Sequence, residues 1–234
     1  MLRVYFVRHG ETDWNLEGRL QGLTDTPLNS KGLAQANSLG ERLAEEGGFN
    51  ALYASTLRRA YKTGEIIGAR LGLEPIRDLR LVERDMGSVE GLTGAEIETR
   101  FPDIYLAWRA GERRVPFPGE EPRQDFQRRL SEFLQEIQAR HADCKIAVIT
   151  HGGAMGMIMA TLMHLDLERR FPFWFDNASF SIVEFGGPVP RVLALNDTCH
   201  LRNGLPHPDE TQEFVFDEKS SSAEGNTLRQ SAVL

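Results

Sequence analysis

Two apolar segments of the chain each end in a histidine followed by a glycine. Residues 2–7 (LRVYFV) lead into the RHG that contains His9, and residues 145–150 (KIAVIT) lead into the HGG that contains His151. Continuous apolar character without alternation is typical of strands that are buried on both faces of a parallel sheet. Ligands of such sheets bind beyond the carboxyl ends of the strands, so we expect the two histidines to lie at the same edge.

The segments around these two strands carry the periods of further helices and strands. Apolar residues recur at helical spacing after Ser30, which can cap a helix, until Gly47 ends it. Further helices are predicted over residues 56–71, 125–140 and 154–163, and further strands over residues 49–54, 179–185 and 191–195. The alternation of strand and helix predicts an α/β fold, a three-layer α/β/α sandwich with one mostly parallel sheet.

The domain organisation follows from the length and from the distribution of glycine and proline. The chain has 234 residues, of which we interpret residues 1–205 as one domain. Glycines and prolines interrupt the pattern over about residues 84–122, and a long irregular insertion of this kind is typical of a lid or a substrate-facing wall. Residues 206–234 are polar and acidic, which predicts a flexible tail.

Composition and charge argue against several classes of function. The formal net charge is −7 and 26% of the residues are charged, a balance unlike that of an electrostatic nucleic-acid binder. Cys144 and Cys199 lie far apart and form no CxxC pair, so neither a disulfide framework nor a zinc site is indicated. The first residues do not resemble an export signal, and no apolar segment is long enough to span a bilayer. We therefore expect a cytoplasmic protein that does not contact a membrane.

Two facing histidines suit either a metal ion or a phosphoryl group. The chain contains neither an HExxH nor an HxH pattern, which argues against a metal site. Phosphoryl transfer instead requires fixed positive charge. Arg8 precedes His9, and Arg58 follows a predicted strand at the start of a helix, where an anion is favoured. Taken alone, Arg58 would be interpreted as a solvated helix residue, but together with the histidines it indicates an anion site.

Four short blocks of sequence follow one another in a specific order. They are VRHGET at residues 7–12, with WN, QG, DTPL and KG after it; STLRRA at residues 55–60; LVE at residues 81–83; and THGG at residues 150–153. In this order the blocks resemble the histidine phosphatase superfamily, in its phosphoglycerate mutase-like branch. The likeness covers about residues 3–200, which is most of the chain.

The resemblance implies a role for individual residues of the blocks. His9 is implied to be the nucleophile that becomes phosphorylated, and Glu83 the proton donor to the leaving oxygen. The phosphate clamp is implied to consist of Arg8, Arg58 and His151. Further substrate- and phosphate-binding residues are implied to be Asn15, Gln21, Gly22 and Gly152. No metal or other cofactor is implied, since a neutral imidazole is a competent nucleophile and arginine forks match phosphate oxygens.

The same scaffold serves phosphatases and mutases, so three interpretations stay open. The leading one is a metal-independent phosphomonoesterase for small metabolites such as phosphoserine, phosphoglycerates, α-ribazole phosphate or sugar phosphates. His151 follows Glu83 by only 68 positions, a compact arrangement that resembles the phosphatases rather than the longer mutases. A cofactor-dependent phosphoglycerate mutase and a non-catalytic phosphate-binding relative are the alternatives. The expected partner is a small phosphate ester, and a homodimer is left open.

Overall fold

The computed structural model describes residues 1–109, 115–169 and 171–201 of the chain. The predicted tail, residues 206–234, and a part of the predicted lid, residues 110–114, lie outside the described residues. None of the helices within these described ranges is long and apolar enough to cross a membrane.

The strands and helices alternate along the chain as the sequence predicts. The strands of the described part are β1 (Leu2–Arg8), β2 (Phe49–Ser55), β3 (Ile76–Asp78), β4 (Lys145–Thr150), β5 (Phe180–Phe185) and β6 (Arg191–Asp197). The α-helices of the same part are α1 (Asp13–Leu16), α2 (Ser30–Glu46), α3 (Arg58–Leu71), α4 (Gly94–Arg100), α5 (Pro102–Arg109), α6 (Arg123–Arg140) and α7 (Gly152–Leu162).

The strands form one sheet in the order β3-β2-β4-β1-β5-β6. The first four strands in this order run parallel, while β5 is antiparallel to β1 and β6 is antiparallel to β5. The prediction of one mostly parallel sheet is therefore confirmed. In the register of β1 and β4, Arg8 lies opposite Thr150, so that His9 and His151 leave the sheet side by side.

Helices cover both faces of the sheet and bury its central strands. On one face, buried residues of α2 and α3, such as Leu39 and Ile67, pack on Tyr5 and Val7 of β1. On the other face, α6 and α7 supply a second core whose members include Phe133. These two layers of helix around the sheet confirm the predicted sandwich and explain why β1 and β4 are apolar on both faces.

The insertion between β3 and α6 has a small apolar core of its own. Its buried members are Val89, Leu92, Ile97, Tyr105 and Phe117. The helices α4 and α5 belong to this cluster and contact each other. Apolar burial therefore stabilises the described part of the insertion. The role of the insertion as a lid stays a prediction.

The structure moves several of the predicted boundaries, by one or two residues each. The side chain of Asn29, not that of Ser30, caps α2, because its carbonyl oxygen accepts a hydrogen bond of 2.8 Å from the N–H of Gly32. Helix α3 begins at Arg58 rather than at Thr56, since Leu57 is still extended. Strand β3 was not predicted: it has three residues, and none of them is fully buried.

Candidate active site

His9 and His151 lie next to each other beyond the carboxyl ends of β1 and β4. Their ring centroids are 5.2 Å apart and the rings meet edge to face at 60°. Both side chains are buried. The two histidines that the sequence placed at one edge of the sheet therefore form the centre of one site.

The ring of His9 is fixed in one tautomer. Its Nδ1 lies 2.7 Å from the carbonyl oxygen of Gly10, which can only accept a hydrogen bond, so Nδ1 carries the proton. Burial, together with the charges of Arg59 and Arg8, lowers the pKa of His9 well below its usual value. The neutral ring consequently keeps the lone pair on Nε2, the nitrogen that a phosphoryl group would meet.

His151 is held from the opposite side by a serine hydroxyl. Its Nε2 lies 2.8 Å from Oγ of Ser55, the last residue of β2. Burial and the charge of Arg59 lower the pKa of His151 well below its usual value as well. Its Nδ1 is buried and has no hydrogen-bond partner within the described ranges. Ser55 was not singled out from the sequence as a site residue.

The structure places Arg59, not Arg58, beside the two histidines. Arg59 is 1% exposed, and its guanidinium donates hydrogen bonds of 2.8 Å to the carbonyl oxygens of Gly22 and Thr24. Burial lowers the pKa of Arg59 to about 10, which leaves the group charged at neutral pH. Arg58 is exposed, and its backbone N–H donates to the carboxylate of Asp25. The sequence-based choice of Arg58 for the clamp stays a prediction, but the structure exposes its side chain and buries that of Arg59, because consecutive helix residues face different directions.

Arg8 adds a second positive charge near His9. Its guanidinium donates a hydrogen bond to the carbonyl oxygen of Phe175. Burial lowers the pKa of Arg8 below its usual value, although the charges of Glu83 and Asp176 act in the opposite direction. A Cβ at Gly152 would lie 3.5 Å from Nε of Arg8, so this glycine lies against the arginine, as a phosphate-site backbone should.

Glu83 reaches the same site through two backbone N–H groups. Its Oε1 accepts a hydrogen bond of 2.8 Å from the N–H of Arg84, and its Oε2 accepts one of 2.8 Å from the N–H of Gly153 in the first turn of α7. A Cβ at Gly153 would lie only 2.5 Å from Oε1 of Glu83. The second glycine of the HGG sequence thus makes room for the carboxylate.

The remaining predicted pocket residues shape the loops around the histidines. Oδ1 of Asn15 accepts hydrogen bonds from the backbone N–H of Thr12 and from Nδ2 of Asn177, which also donates to the carbonyl oxygen of His9. Oε1 of Gln21 accepts from the hydroxyl of Thr26 at 2.6 Å. Asn177 is a site residue that the sequence did not indicate, because it contacts the RHG segment from a distant part of the chain.

Glu90 holds the loop that supports Arg59. Its carboxylate accepts hydrogen bonds from the N–H groups of Leu23 and Thr24, and from the hydroxyl of Thr24. Gly22 has a φ of +53°, and a Cβ there would lie 1.9 Å from Oε1 of Glu90. The carbonyl oxygens that accept hydrogen bonds from Arg59 are therefore positioned by a close contact between Gly22 and Glu90.

Within the described ranges, no group of three histidine, cysteine, aspartate or glutamate side chains is arranged to hold a metal ion. The positive charges of the site instead come from Arg8 and Arg59. Such an arrangement can take up an anion with several oxygens, since two guanidinium groups lie near a neutral imidazole.

The chain is similar in sequence to a known protein family and to several named proteins. The model of the histidine phosphatase superfamily (branch 1) matches residues 4–198. Phosphoserine phosphatase 1 of Hydrogenobacter thermophilus is 33% identical over 201 residues, which cover 86% of this chain and 95% of that protein. A protein of Enterobacter sp. (strain 638) named "Probable phosphoglycerate mutase GpmB" is 35% identical over 193 residues, covering 79% of this chain and 86% of that one.

A solved structure extends the likeness to three dimensions. The mycobacterial glucosyl-3-phosphoglycerate phosphatase, complexed with VO3, superimposes with a TM-score of 0.75 at 30% identity, covering 84% of this chain and 99% of that one. These likenesses confirm the expected fold and the expected activity class, the hydrolysis of phosphoric monoesters of small metabolites. The chain belongs to the histidine phosphatase superfamily, branch 1.

Proposed function

We propose that the chain hydrolyses small phosphate monoesters in two steps, with His9 as the residue that carries the phosphoryl group between them. The observation that supports this most directly is the hydrogen bond between Nδ1 of His9 and the carbonyl oxygen of Gly10. It leaves a neutral ring with its lone pair on Nε2, next to two charged arginines. An imidazole in this form attacks phosphorus without a metal ion.

The first step transfers the phosphoryl group to the enzyme. A bond forms between Nε2 of His9 and phosphorus while the bond from phosphorus to the ester oxygen breaks. Arg8, Arg59 and Nδ1 of His151 bind the phosphoryl oxygens, whose charge is spread over the group in the transition state. We assign the clamp position to Arg59 in place of Arg58, because Arg59 is the arginine buried against the histidines.

Glu83 handles the proton in both steps. In the first step its carboxylic acid protonates the leaving oxygen, which departs as an alcohol. In the second step the carboxylate accepts a proton from the water that attacks phosphorus, and inorganic phosphate leaves as the bond to Nε2 of His9 breaks. The carboxylate is held by the N–H groups of Arg84 and Gly153, so it stays aimed at the site in the free protein.

A phosphatase is favoured over a mutase by the short segment between Glu83 and His151. One relative is named a phosphoserine phosphatase, and another is named a probable mutase, so both reactions belong in the test. Incubation with 3-phosphoglycerate, with and without 2,3-bisphosphoglycerate, distinguishes them. We expect inorganic phosphate to form faster than 2-phosphoglycerate, and predominant 2-phosphoglycerate would identify a mutase.

Trapping the phosphoenzyme tests the central step. Brief exposure to a radiolabelled phosphate monoester is expected to label the protein in an acid-labile and base-stable form, as phosphohistidine requires. The label is expected to disappear in His9→Ala and to persist in His141→Ala, a histidine at the end of α6 that bonds to Tyr53. Stoichiometric labelling of His9→Ala would reject the assignment of the nucleophile.

Metal independence, substrate range and location each have a separate measurement. Excess EDTA is expected to leave turnover unchanged, and vanadate is expected to inhibit as a mimic of five-coordinate phosphorus. A panel of phosphomonoesters that includes phosphoserine, phosphoglycerates, α-ribazole phosphate and sugar phosphates ranks substrates by phosphate release.

We further propose that the protein works in the cytoplasm, and cell fractionation tests this location. Sedimentation measures whether the protein forms a homodimer.

A further inference from the structure

Arg129 of helix α6 uses its whole guanidinium group inside the protein. Its Nη1 donates hydrogen bonds of 2.7 Å to the carbonyl oxygens of Arg80 and Val82, and its Nη2 donates one of 2.9 Å to the carbonyl oxygen of Glu83. Its Nε and Nη2 also bind the carboxylate of Glu121 at 2.9 and 3.0 Å. The sequence gives Arg129 only as part of the polar stripe of an amphipathic helix, where a solvated side chain is the usual outcome.

These contacts join the two ends of the insertion. Glu83 stands at its start and Glu121 at its end, and the side chain of Arg129 binds both. The two ends also contact each other directly. The N–H of Glu121 donates to the carbonyl oxygen of Asp85 at 3.0 Å, and Nε of Arg84 donates to the carbonyl oxygen of Glu121 at 2.9 Å. Arg129 is therefore the point at which a rigid helix fixes the backbone that carries Glu83.

The chemistry of the contact requires an arginine. Three backbone carbonyl oxygens and one carboxylate converge on a single planar fork, which five N–H groups in fixed directions can satisfy. Side-chain exposure of Arg129 is 17% and that of Glu121 is 18%, so this pair is largely removed from solvent. A lysine would keep the positive charge, but its compact ammonium could not bind all of these acceptors.

We infer that Arg129 is a positioning residue for Glu83, holding the backbone from which its carboxylate reaches the leaving oxygen. The inference rests on the proposed function, because it assumes that Glu83 is the proton donor. Arg129 acts through the carbonyl oxygen of Glu83 and does not contact the substrate. A misplacement of about 1 Å in a catalytic group is enough to cost about 10²-fold in rate.

Arg129→Lys separates this role from a merely electrostatic one. The charge of Arg129 contributes to the lowered pKa of His151, and lysine retains that charge while it loses the fork. We expect kcat/KM for an alkyl phosphate, whose leaving group needs a proton, to fall by about 10- to 100-fold. The value for p-nitrophenyl phosphate, whose leaving group needs little protonation, is expected to stay close to that of the wild type.

The matched control is Arg128→Lys, one residue earlier on α6. The side chain of Arg128 is 67% exposed and pairs with Asp125 on the same helix, so both substrates are expected to react as with the wild type. A melting curve for each variant shows whether it is folded. Should Arg129→Lys not fold, Glu121→Gln carries the same comparison, since it weakens the other half of the contact and leaves the arginine in place.

A double-mutant cycle with Glu83→Gln decides whether Arg129 acts through Glu83. In the Glu83→Gln background no carboxylic acid is left to protonate the leaving oxygen. Arg129→Lys is therefore expected to cause no additional loss of kcat/KM with the alkyl phosphate. Equal losses with both substrates, or losses that add to those of Glu83→Gln, would overturn the inference about Arg129 alone. If Glu83→Gln itself slows both substrates equally, the proposed proton donor is wrong and the inference falls with it.

Discussion

The N–H of Gly153 donates a hydrogen bond of 2.8 Å to Oε2 of Glu83 and so joins the HGG segment to the LVE segment. Gly153 lies in the first turn of α7, where backbone N–H groups have no partner inside the helix. The absence of a side chain at this position lets the carboxylate approach, since a Cβ would lie 2.5 Å from its Oε1. The helix that follows His151 therefore also orients the proposed proton donor.

Gly153→Ala is expected to displace the Glu83 carboxylate without removing it. The kcat/KM for alkyl phosphates should fall by about 10²-fold, while the kcat/KM for p-nitrophenyl phosphate should fall much less, because this parameter reports the first step, in which only the alkyl leaving group needs the proton. Steady-state kinetics on the two substrates measures this difference. The control is Gly156→Ala in the same helix, whose Cβ would meet, among the described residues, only the Phe171 ring, at 3.4 Å. Equal behaviour of the two alanine variants would contradict the steric argument.

The adjacent arginines at the start of α3 offer a direct comparison of buried and exposed charge. Arg59→Gln is expected to lower kcat/KM by about 10²- to 10³-fold, the usual cost of losing one charge-stabilising donor in a transition state. Arg58→Gln should behave close to the wild type, because its side chain is exposed. The inhibition constant for vanadate gives an independent measure of phosphate binding. A greater loss in Arg58→Gln than in Arg59→Gln would support Arg58, the arginine chosen from the sequence, and reject Arg59.

The sequence predicts the fold well because each of the two central strands contains a continuous apolar run. β1 is apolar from Val4 to Val7 and β4 from Ile146 to Ile149, and a continuous apolar run of this kind indicates a strand covered on both faces. The same rule fails for β3, whose three residues are too few and too polar to form a pattern. Asn29 and Ser30 are both good capping residues, and only the hydrogen bond to the N–H of Gly32 decides between them.

The site is predictable where it depends on strand ends and hidden where it depends on contacts across the chain. Helical spacing does carry a signal for Arg59, which is four residues before Thr63 and eight before Ile67, all of them buried on one face of α3. Ser55 and Asn177 carry no such signal. Each acts through a hydrogen bond to a histidine segment more than ninety positions away, and such pairs are not visible in local sequence.

Gly22→Ala tests the loop that supports Arg59. An alanine there would meet Oε1 of Glu90 at 1.9 Å and would also be held at a φ of +53°, so we expect weaker binding of vanadate and a lower melting temperature. Gly18→Ala separates the two effects, because Gly18 has a similar φ of +67° but no atom of the described part of the chain would lie within 4 Å of its Cβ. Backbone strain alone costs about 1–3 kcal/mol and should leave vanadate binding intact in this control. Equal weakening of vanadate binding in both variants would show that Glu90 does not position the loop.

The protonation state of His9 gives the last prediction. Because burial and two arginines lower its pKa well below the usual value, the ring should remain neutral as the pH falls through 6.5, with the proton on Nδ1. Nitrogen-15 NMR of histidine-labelled protein distinguishes this tautomer from the imidazolium, and the signal lost in His9→Gln identifies the residue. In urea the same histidine should titrate near 6.5, as it does in an unfolded chain. The attacking form of His9 should therefore persist on acidification, and the acid limb of the rate profile for p-nitrophenyl phosphate should not reflect protonation of His9 at its ordinary pKa. An imidazolium signal from His9 in the folded protein at pH 6.5 would contradict the electrostatic account of the site, whatever the outcome of the other substitutions.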